Sequence, residues 1–162
     1  MLEAVIAAAV LGILASIVLP KLSYMLDVIY VDYEIRRLHS TLHYTKSVCR
    51  IANYERFRLG QQSGYVGKAL ELQIQNSETP IYYRLKRQSY SEYLGDKHYF
   101  ERDFSLRLKN NIGRAPINIG FDVYGDFSSS DNTKEGTLVL SKGKVQRTVV
   151  LQGYGRMRID RQ

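Results

Sequence analysis

The chain has 162 residues, enough for one domain with its own core and too few for a multidomain enzyme. Hydrophobic residues make up 44% of the chain and charged residues 24%, a balance that excludes wholesale disorder. The formal net charge is +7, and the single cysteine, Cys49, excludes an intramolecular disulfide and a cysteine-based zinc site.

The N-terminal segment is far more apolar than the rest. Residues 4–19 read AVIAAAVLGILASIVL and carry no charge. This run is slightly shorter than the roughly 20 residues of a full membrane crossing, and as a helix it is about 24 Å long. Three interpretations stay open: a cleaved signal peptide, a buried helix of a soluble domain, and a membrane-inserted helix. The third is favoured, because Glu3 stands where a signal peptide carries basic residues and the helix is apolar all round.

Glu3 is a carboxylate beside a run of membrane depth, where a charge usually has a partner. No nearby residue in the sequence offers one. The two interpretations are solvation at the level of the lipid headgroups and pairing with a positive group of another subunit, such as a free N-terminal amine.

Residues 1–22, MLEAVIAAAVLGILASIVLPKL, resemble the start of a mature type IV pilin or type II secretion pseudopilin. The resemblance rests on Glu3, the Gly-Ile-Leu-Ala stretch at 12–15 and Pro20. It implies that Glu3 sets the register with a neighbouring subunit's N-terminal amine during assembly. It also implies a prepilin peptidase, an inner-membrane assembly platform, membrane lipid and other pilin or pseudopilin subunits as partners. The family's basic leader is not visible, so we expect a truncated chain or a late start at Met1.

Beyond Pro20 the apolar residues step by three and four, which predicts an amphipathic helix that Gly60 ends. One helix from about residue 3 to 58 would be about 84 Å long. Pro20 lacks a backbone N–H and predicts a kink or a locally melted turn. We place the boundary there, with 1–21 as a membrane-inserted half and 22–162 as an extracytoplasmic head. The predicted buried stripe is Val28, Val31, Ile35, Leu38, Leu42, Thr45, Cys49 and Ala52.

The remaining sequence predicts a β-rich head. Alternation of apolar and polar residues indicates strands within 69–75, 80–87 and 118–125, and further strands are expected at 104–108, 137–141, 144–151 and 155–160. Composition predicts a loop from Gly125 to Gly136, and Lys142-Gly143 predicts a hairpin turn. A long N-terminal helix followed by an antiparallel sheet is an α+β architecture.

Most of the positive charge lies near the C-terminus, with net +5 of the chain's +7 within residues 142–162. A strand there would turn Arg156 and Arg158 to one side and Met157 and Ile159 to the core. Two guanidiniums about 7 Å apart can contact successive phosphates of a nucleic acid. The other interpretation is a solvated basic strand, or one that pairs with acids of adjacent subunits. The cations are Lys142, Lys144, Arg147, Arg156, Arg158 and Arg161.

The same C-terminal region resembles the head of the GspH/FimT group of minor pilins and pseudopilins. GRMR at 155–158 is similar to the Gly-Arg-x-Arg motif of the DNA-binding, FimT-like members. That similarity implies that Arg156 and Arg158 contact double-stranded DNA during uptake in natural transformation. The other matching positions are Phe121, Gly125, Gly136, Leu138, Leu140 and Gly155.

Patterns for catalysis are not found in the sequence, which lacks a phosphate-binding GK[ST] loop, a G-x-S-x-G elbow and a calcium-loop spacing around Asp122, Asp126 and Asp131. His39 and His43 have metal-chelating spacing but no third ligand beside them. The chain is therefore expected to be neither an enzyme nor a cofactor protein.

The sequence agrees with three functions. The first is a structural minor pilin or pseudopilin, inserted in the cytoplasmic membrane with its head outside, that polymerises through its N-terminal helix. The second is a DNA-binding minor pilin that uses the GRMR strand. The third is a single-pass anchored sensor or secreted domain that does not assemble.

Overall fold

The computed structural model describes residues 2–58, 70–87, 92–101, 103–109, 116–122, 124–129 and 136–161. One long helix, α1 (Leu2–Arg58), packs on two antiparallel sheets, which is the predicted α+β layout. The strands are β1 (Leu70–Gln75), β2 (Tyr82–Arg87), β3 (Glu92–Tyr99), β4 (Phe104–Leu108), β5 (Ile117–Phe121), β6 (Phe127–Ser129), β7 (Gly136–Lys142), β8 (Val145–Leu151) and β9 (Met157–Arg161).

Helix α1 is continuous through Pro20, so the break predicted there does not form. Proline removes the hydrogen bond that its N–H would donate to the Ser16 carbonyl, and its ring crowds that carbonyl, a local cost of about 3 kcal/mol in a helix of 57 residues. The helix ends at Arg58, as its periodicity predicts, and Gly60 lies outside the described residues.

The two halves of α1 have different surroundings. Residues 2–26 are exposed around the whole circumference of the helix. From Asp27 onward the predicted stripe lies against the sheets, because its three-and-four spacing keeps it on one face. Its fully buried members are Val31, Ile35, Leu38, Leu42, Thr45 and Cys49.

The strands form a five-stranded sheet, called sheet A, in the order β3-β2-β1-β5-β6 and a four-stranded sheet, called sheet B, in the order β4-β7-β8-β9. Helix α1 contacts both sheets, chiefly through β8, β5, β1 and β7. The inward residues of the alternating strands join the helix stripe in one core, as expected for Leu70, Leu72 and Ile74 of β1.

Four details differ from the prediction. Strand β3 was not predicted, and β6 lies inside the segment expected to be a loop. Strand β5 ends at Phe121 instead of extending to residue 125, and Val123 is outside the described part. In the β7–β8 hairpin Lys142 pairs with Val145, so the turn is Gly143-Lys144, one residue later than expected. Gly143 has φ 56°, a conformation that glycine adopts at little cost. A cis peptide precedes Pro80.

Candidate functional site

The exposed half of α1 is the largest apolar surface in the described chain. Leu2 is 75% exposed and Leu11 66% exposed, and the side chains between them are exposed as well. A contiguous apolar surface of this extent marks a membrane or protein contact. Within the described residues this is the one helix long and apolar enough to cross a membrane, and a signal anchor near the N-terminus would have the same character.

Glu3 lies in the first turn of this half, fully on the surface. Its carboxylate is close to the positive end of the helix dipole, which favours a negative charge there. No residue in the part of the chain that the structure describes pairs with Glu3. A positive partner therefore has to come from outside those residues.

The predicted basic strand does not form one patch. Lys144 is exposed in the β7–β8 turn, whereas Arg156 is exposed just before β9. The pairing of Met157 with Leu151 places Arg156 at the opposite end of β8. That end is roughly 20 Å from the turn, given the rise per residue of a strand.

Two of the predicted cations are used inside the head. The Lys142 Nζ group donates to Glu101 Oε2, and this hydrogen bond raises the pKa of Lys142. The Lys142 Nζ atom also lies 4.5 Å from the centre of the Tyr30 ring on α1. Arg147 Nε donates to Asp32 Oδ1 at 2.7 Å, and the Arg147 side chain is 13% exposed. Both groups tie sheet B to its neighbours and are not available as free phosphate ligands.

On β9 the predicted alternation is confirmed, because Met157 and Ile159 pack against the core. Arg158 is 58% exposed and its guanidinium lies 3.3 Å from the Asp160 carboxylate on the same face. An ion pair this exposed is weak, so Arg158 can exchange it for another anion. The side chain of Arg161 lies outside the described part of the structure.

Two tight turns meet beside Arg156, and the sequence did not predict this. The turn at 122–126 and the turn at 152–156 pack back to back: a Cβ on Gly155 would lie 1.8 Å from the Gly125 carbonyl oxygen. Both glycines have positive φ, 85° at Gly125 and 66° at Gly155. The tyrosines that precede them, Tyr124 and Tyr154, are 82% and 90% exposed. The close approach of the two turns therefore brings together two segments that each carry an exposed tyrosine, one of them two residues before Arg156.

Helix α1 supplies cations to the same place. Lys46 Nζ donates to the Gly155 carbonyl at 2.8 Å. A Cβ on Gly125 would lie 3.1 Å from Arg50 Cδ, so the Arg50 side chain covers that turn. We call Lys46, Arg50, Arg156, Tyr124 and Tyr154 the tip cluster. The repeated Tyr-Gly pair was the only sequence signal for it.

One of the acids flanking the first turn, Asp122, has a structural role. Asp122 Oδ1 accepts hydrogen bonds from the backbone N–H of Tyr124 at 2.9 Å and of Asp126 at 2.8 Å. This arrangement caps the turn. Asp131 lies outside the described residues. Among the residues described, no group of three or more potential metal ligands occurs.

The remaining candidates lie on α1. The His39 and His43 rings are 4.6 Å apart, and desolvation, His39 and Lys46 together lower the pKa of His43. Cys49 is buried, and its thiol donates to the Leu70 carbonyl at 3.2 Å. This places Cys49 in the core, as its position on the stripe predicted.

Comparison of the chain with protein-family models, with curated proteins and with solved structures finds no match. The resemblances noted in the sequence therefore rest on the matching residues alone. The exposed helix, Glu3 and the exposed cations are the features that point to a function.

Proposed function

We propose that the chain is a minor pilin or pseudopilin, held in the cytoplasmic membrane by the first half of α1 with its head outside. In this proposal the same half-helix polymerises into a type IV pilus or a type II secretion pseudopilus. The observation that carries the proposal is the division of α1, in which residues 2–26 are exposed and the following turns are part of the head's core.

Burial of the exposed apolar side chains of α1 is strongly favourable. Each large aliphatic side chain fully taken out of water contributes about 1.5–3 kcal/mol, and those of the run are 50–75% exposed, so the run as a whole contributes on the order of 10–20 kcal/mol. A surface of this kind requires lipid or other helices around it. The side chains are Leu2, Val5, Ile6, Val10, Leu11, Ile13, Leu14, Ile17, Val18 and Leu19.

The transfer of α1 from lipid to a filament needs a further interaction. Lipid tails and neighbouring apolar helices offer similar hydrophobic free energies, so close packing and polar pairing decide between them. A carboxylate at membrane depth gains most from a charged partner. Glu3 supports assembly for this reason, because an N-terminal amine of the next subunit would neutralise it.

The test is incorporation of Glu3 variants into filaments. In the source organism, the chromosomal copy is replaced by Glu3→Gln or by Glu78→Gln, a control that neutralises an exposed acid of the head. We expect Glu3→Gln to be lost from sheared filaments and retained in the membrane, and Glu78→Gln to behave as the parent. Equal incorporation of the two variants would contradict the proposed role of Glu3. A parent chain found only in the membrane would favour an anchored domain that does not assemble.

A second candidate function is DNA binding by the head. It is supported by the exposure of Arg156 and Arg158 and by the additional cations and aromatic rings of the tip cluster. Arginine can contact phosphates, and exposed tyrosines can stack on bases. Because Lys142 and Arg147 are paired inside the head, the candidate interface is limited to the Arg156 end of sheet B.

This candidate is tested by fluorescence anisotropy of labelled double-stranded DNA over a salt series, with the full chain in a non-ionic detergent. The variant Arg156→Ala/Arg158→Ala is compared with Arg107→Ala/Lys109→Ala, which removes two exposed cations in β4 and just after it, on the opposite edge of sheet B from β9. Loss of two phosphate contacts should reduce the log–log salt slope by about 1.8. If the parent does not bind at low salt, or if the two double variants bind equally, this candidate is wrong.

A further inference from the structure

A pocket lies where the head meets the end of the apolar run. It has a volume of about 530 Å³ and is formed by one side of α1 and the β7–β8 turn. The proposed DNA interface is at the other end of sheet B, and the filament-forming residues precede the pocket. The lining residues are Pro20, Lys21, Ser23, Tyr24, Met25, Asp27, Gly143 and Lys144.

The pocket carries more positive than negative charge. Lys21 and Lys144 line it from two different elements, and Asp27 is the acid among the lining residues. A Cβ on Gly143 would lie 3.1 Å from Asp27 Oδ2, so the carboxylate is next to the turn. Asp27 also acts electrostatically on Lys142 and helps to raise its pKa. Lys142 itself pairs with Glu101 and is not among the lining residues.

The pocket also lies at a defined depth. If residues 4–19 occupy the hydrocarbon layer, the lining residues of α1 follow at once on the outer side. The helix rises about 9 Å from Lys21 to Asp27, close to the roughly 5–8 Å of headgroup layer on each face of a bilayer. The β7–β8 turn is then the part of the head that touches the membrane surface.

We propose that this pocket binds the headgroup of a monoanionic phospholipid, with the Lys21 and Lys144 ammonium groups on its phosphodiester. The inference rests on the proposed membrane insertion of α1. Two lysines against one aspartate leave a lining of net positive charge, which complements a headgroup of charge −1 better than a zwitterionic one. Tyr24 adds an aromatic ring at the depth where tyrosine is enriched in membrane proteins.

Binding of this kind would fix the orientation of the head before assembly. Lys21 alone, at the end of a membrane helix, reaches the interface in any orientation. Lys144 reaches the same phosphate only when the β7–β8 turn rests on the membrane. Occupation of the pocket would therefore hold the head against the surface on the sheet B side of α1.

The chain contains no tryptophan, so Tyr24→Trp introduces a single fluorescent reporter in the pocket. The full chain carrying this reporter is reconstituted in vesicles that contain a phosphatidylcholine with a nitroxide on its headgroup. Unlabelled phosphatidylglycerol and phosphatidylcholine are then compared for their ability to relieve the quenching, which gives a ratio of binding constants. Lys144→Gln is measured beside Lys109→Gln, which removes the same charge at the far end of sheet B.

We expect phosphatidylglycerol to be preferred, and Lys144→Gln to lower the ratio about fivefold. Lys109→Gln should leave it unchanged, and Asp27→Asn should raise it. The proposal is overturned if the reporter chain shows no preference, or if Lys144→Gln and Lys109→Gln give the same ratio. Relief of quenching by inorganic phosphate, but not by chloride at equal ionic strength, would assign the pocket to the free anion and also overturn it. Vesicle flotation separates these results from failure of membrane insertion, in which the chain would stay at the bottom of the gradient instead of floating with the vesicles.

Discussion

Substitution of Gly155 by alanine should be among the most damaging single changes in the head. Alanine at φ 66° carries a conformational cost of about 1–2 kcal/mol. The added Cβ would also lie 1.8 Å from the Gly125 carbonyl oxygen, a backbone atom that can move only with its whole turn. Displacement of the turn breaks the hydrogen bond from Lys46 to the Gly155 carbonyl, worth about 1.5–3 kcal/mol for a charged donor. We expect a total destabilisation of about 3–5 kcal/mol.

Gly95 provides a matched control, because it has φ 74° and a Cβ there would meet nothing within 4 Å. Gly95→Ala should show only the conformational cost of about 1–2 kcal/mol. The two variants are compared by urea unfolding of the full chain in detergent, followed by near-ultraviolet circular dichroism. At an m-value of about 2 kcal/mol per molar urea, Gly155→Ala should unfold about 1 M earlier than Gly95→Ala. Equal midpoints would refute the close packing of the two turns.

Three further changes probe the core, the ion pairs and the alkaline limit of stability. Leu42→Ala should destabilise the head by about 2–5 kcal/mol in the same assay, because Leu42 is fully buried, and Tyr44→Ala by less than about 0.5 kcal/mol. Asp32→Ala should cost about 1–3 kcal/mol because it removes the carboxylate from a largely buried arginine of β8, whereas Glu101→Ala, on the exposed side of its ion pair, should cost less than about 1 kcal/mol. Burial raises the pKa of Tyr83 above its ordinary 10.0. The stability that the neutral Tyr83 side chain contributes is therefore fully present below pH 10 and is lost as the pH rises through its folded-state pKa. When the pH is raised from 8 to above 10, the urea midpoint should therefore fall less for Tyr83→Phe than for the parent. An equal fall would contradict the raised pKa of Tyr83.

The helix could be predicted from the sequence because one simple periodicity covers its whole length. The stripe from Val31 to Cys49 follows three-and-four spacing, and the structure buries it. The apolar run before it has no competing pattern. Proline costs about 3 kcal/mol in a helix interior but did not interrupt this helix, because both flanking segments are strongly helical.

Strands β3 and β6 could not be predicted because their sequences lack the signal that burial creates. Seven of the eight residues of β3 are exposed, so no apolar face distinguishes the strand. Strand β6 has three residues and contains Ser128 and Ser129, which composition assigns to a loop. Both form because they hydrogen-bond to the backbone of a neighbouring strand: β3 pairs with β2, and β6 pairs with β5. Backbone pairing of this kind does not require an alternation of apolar and polar residues. Hydrophobic alternation in the sequence therefore cannot predict it.

Prediction from the sequence has a similar limit for the candidate cations. A sequence counts positive residues but does not say which of them already have anions. Of the predicted cluster, Lys142 and Arg147 pair with acids from outside the C-terminal stretch, Lys144 lies at the membrane end, and Arg156 lies at the tip. These positions predict different results for the same change of charge. Neutralising Arg147 should lower the free energy of unfolding, whereas neutralising Arg156 should leave it nearly unchanged and affect only binding at the tip. A variant that removed all these cations together would lose DNA binding by unfolding as readily as by losing contacts. The tip arginines therefore have to be tested with the internal pairs intact.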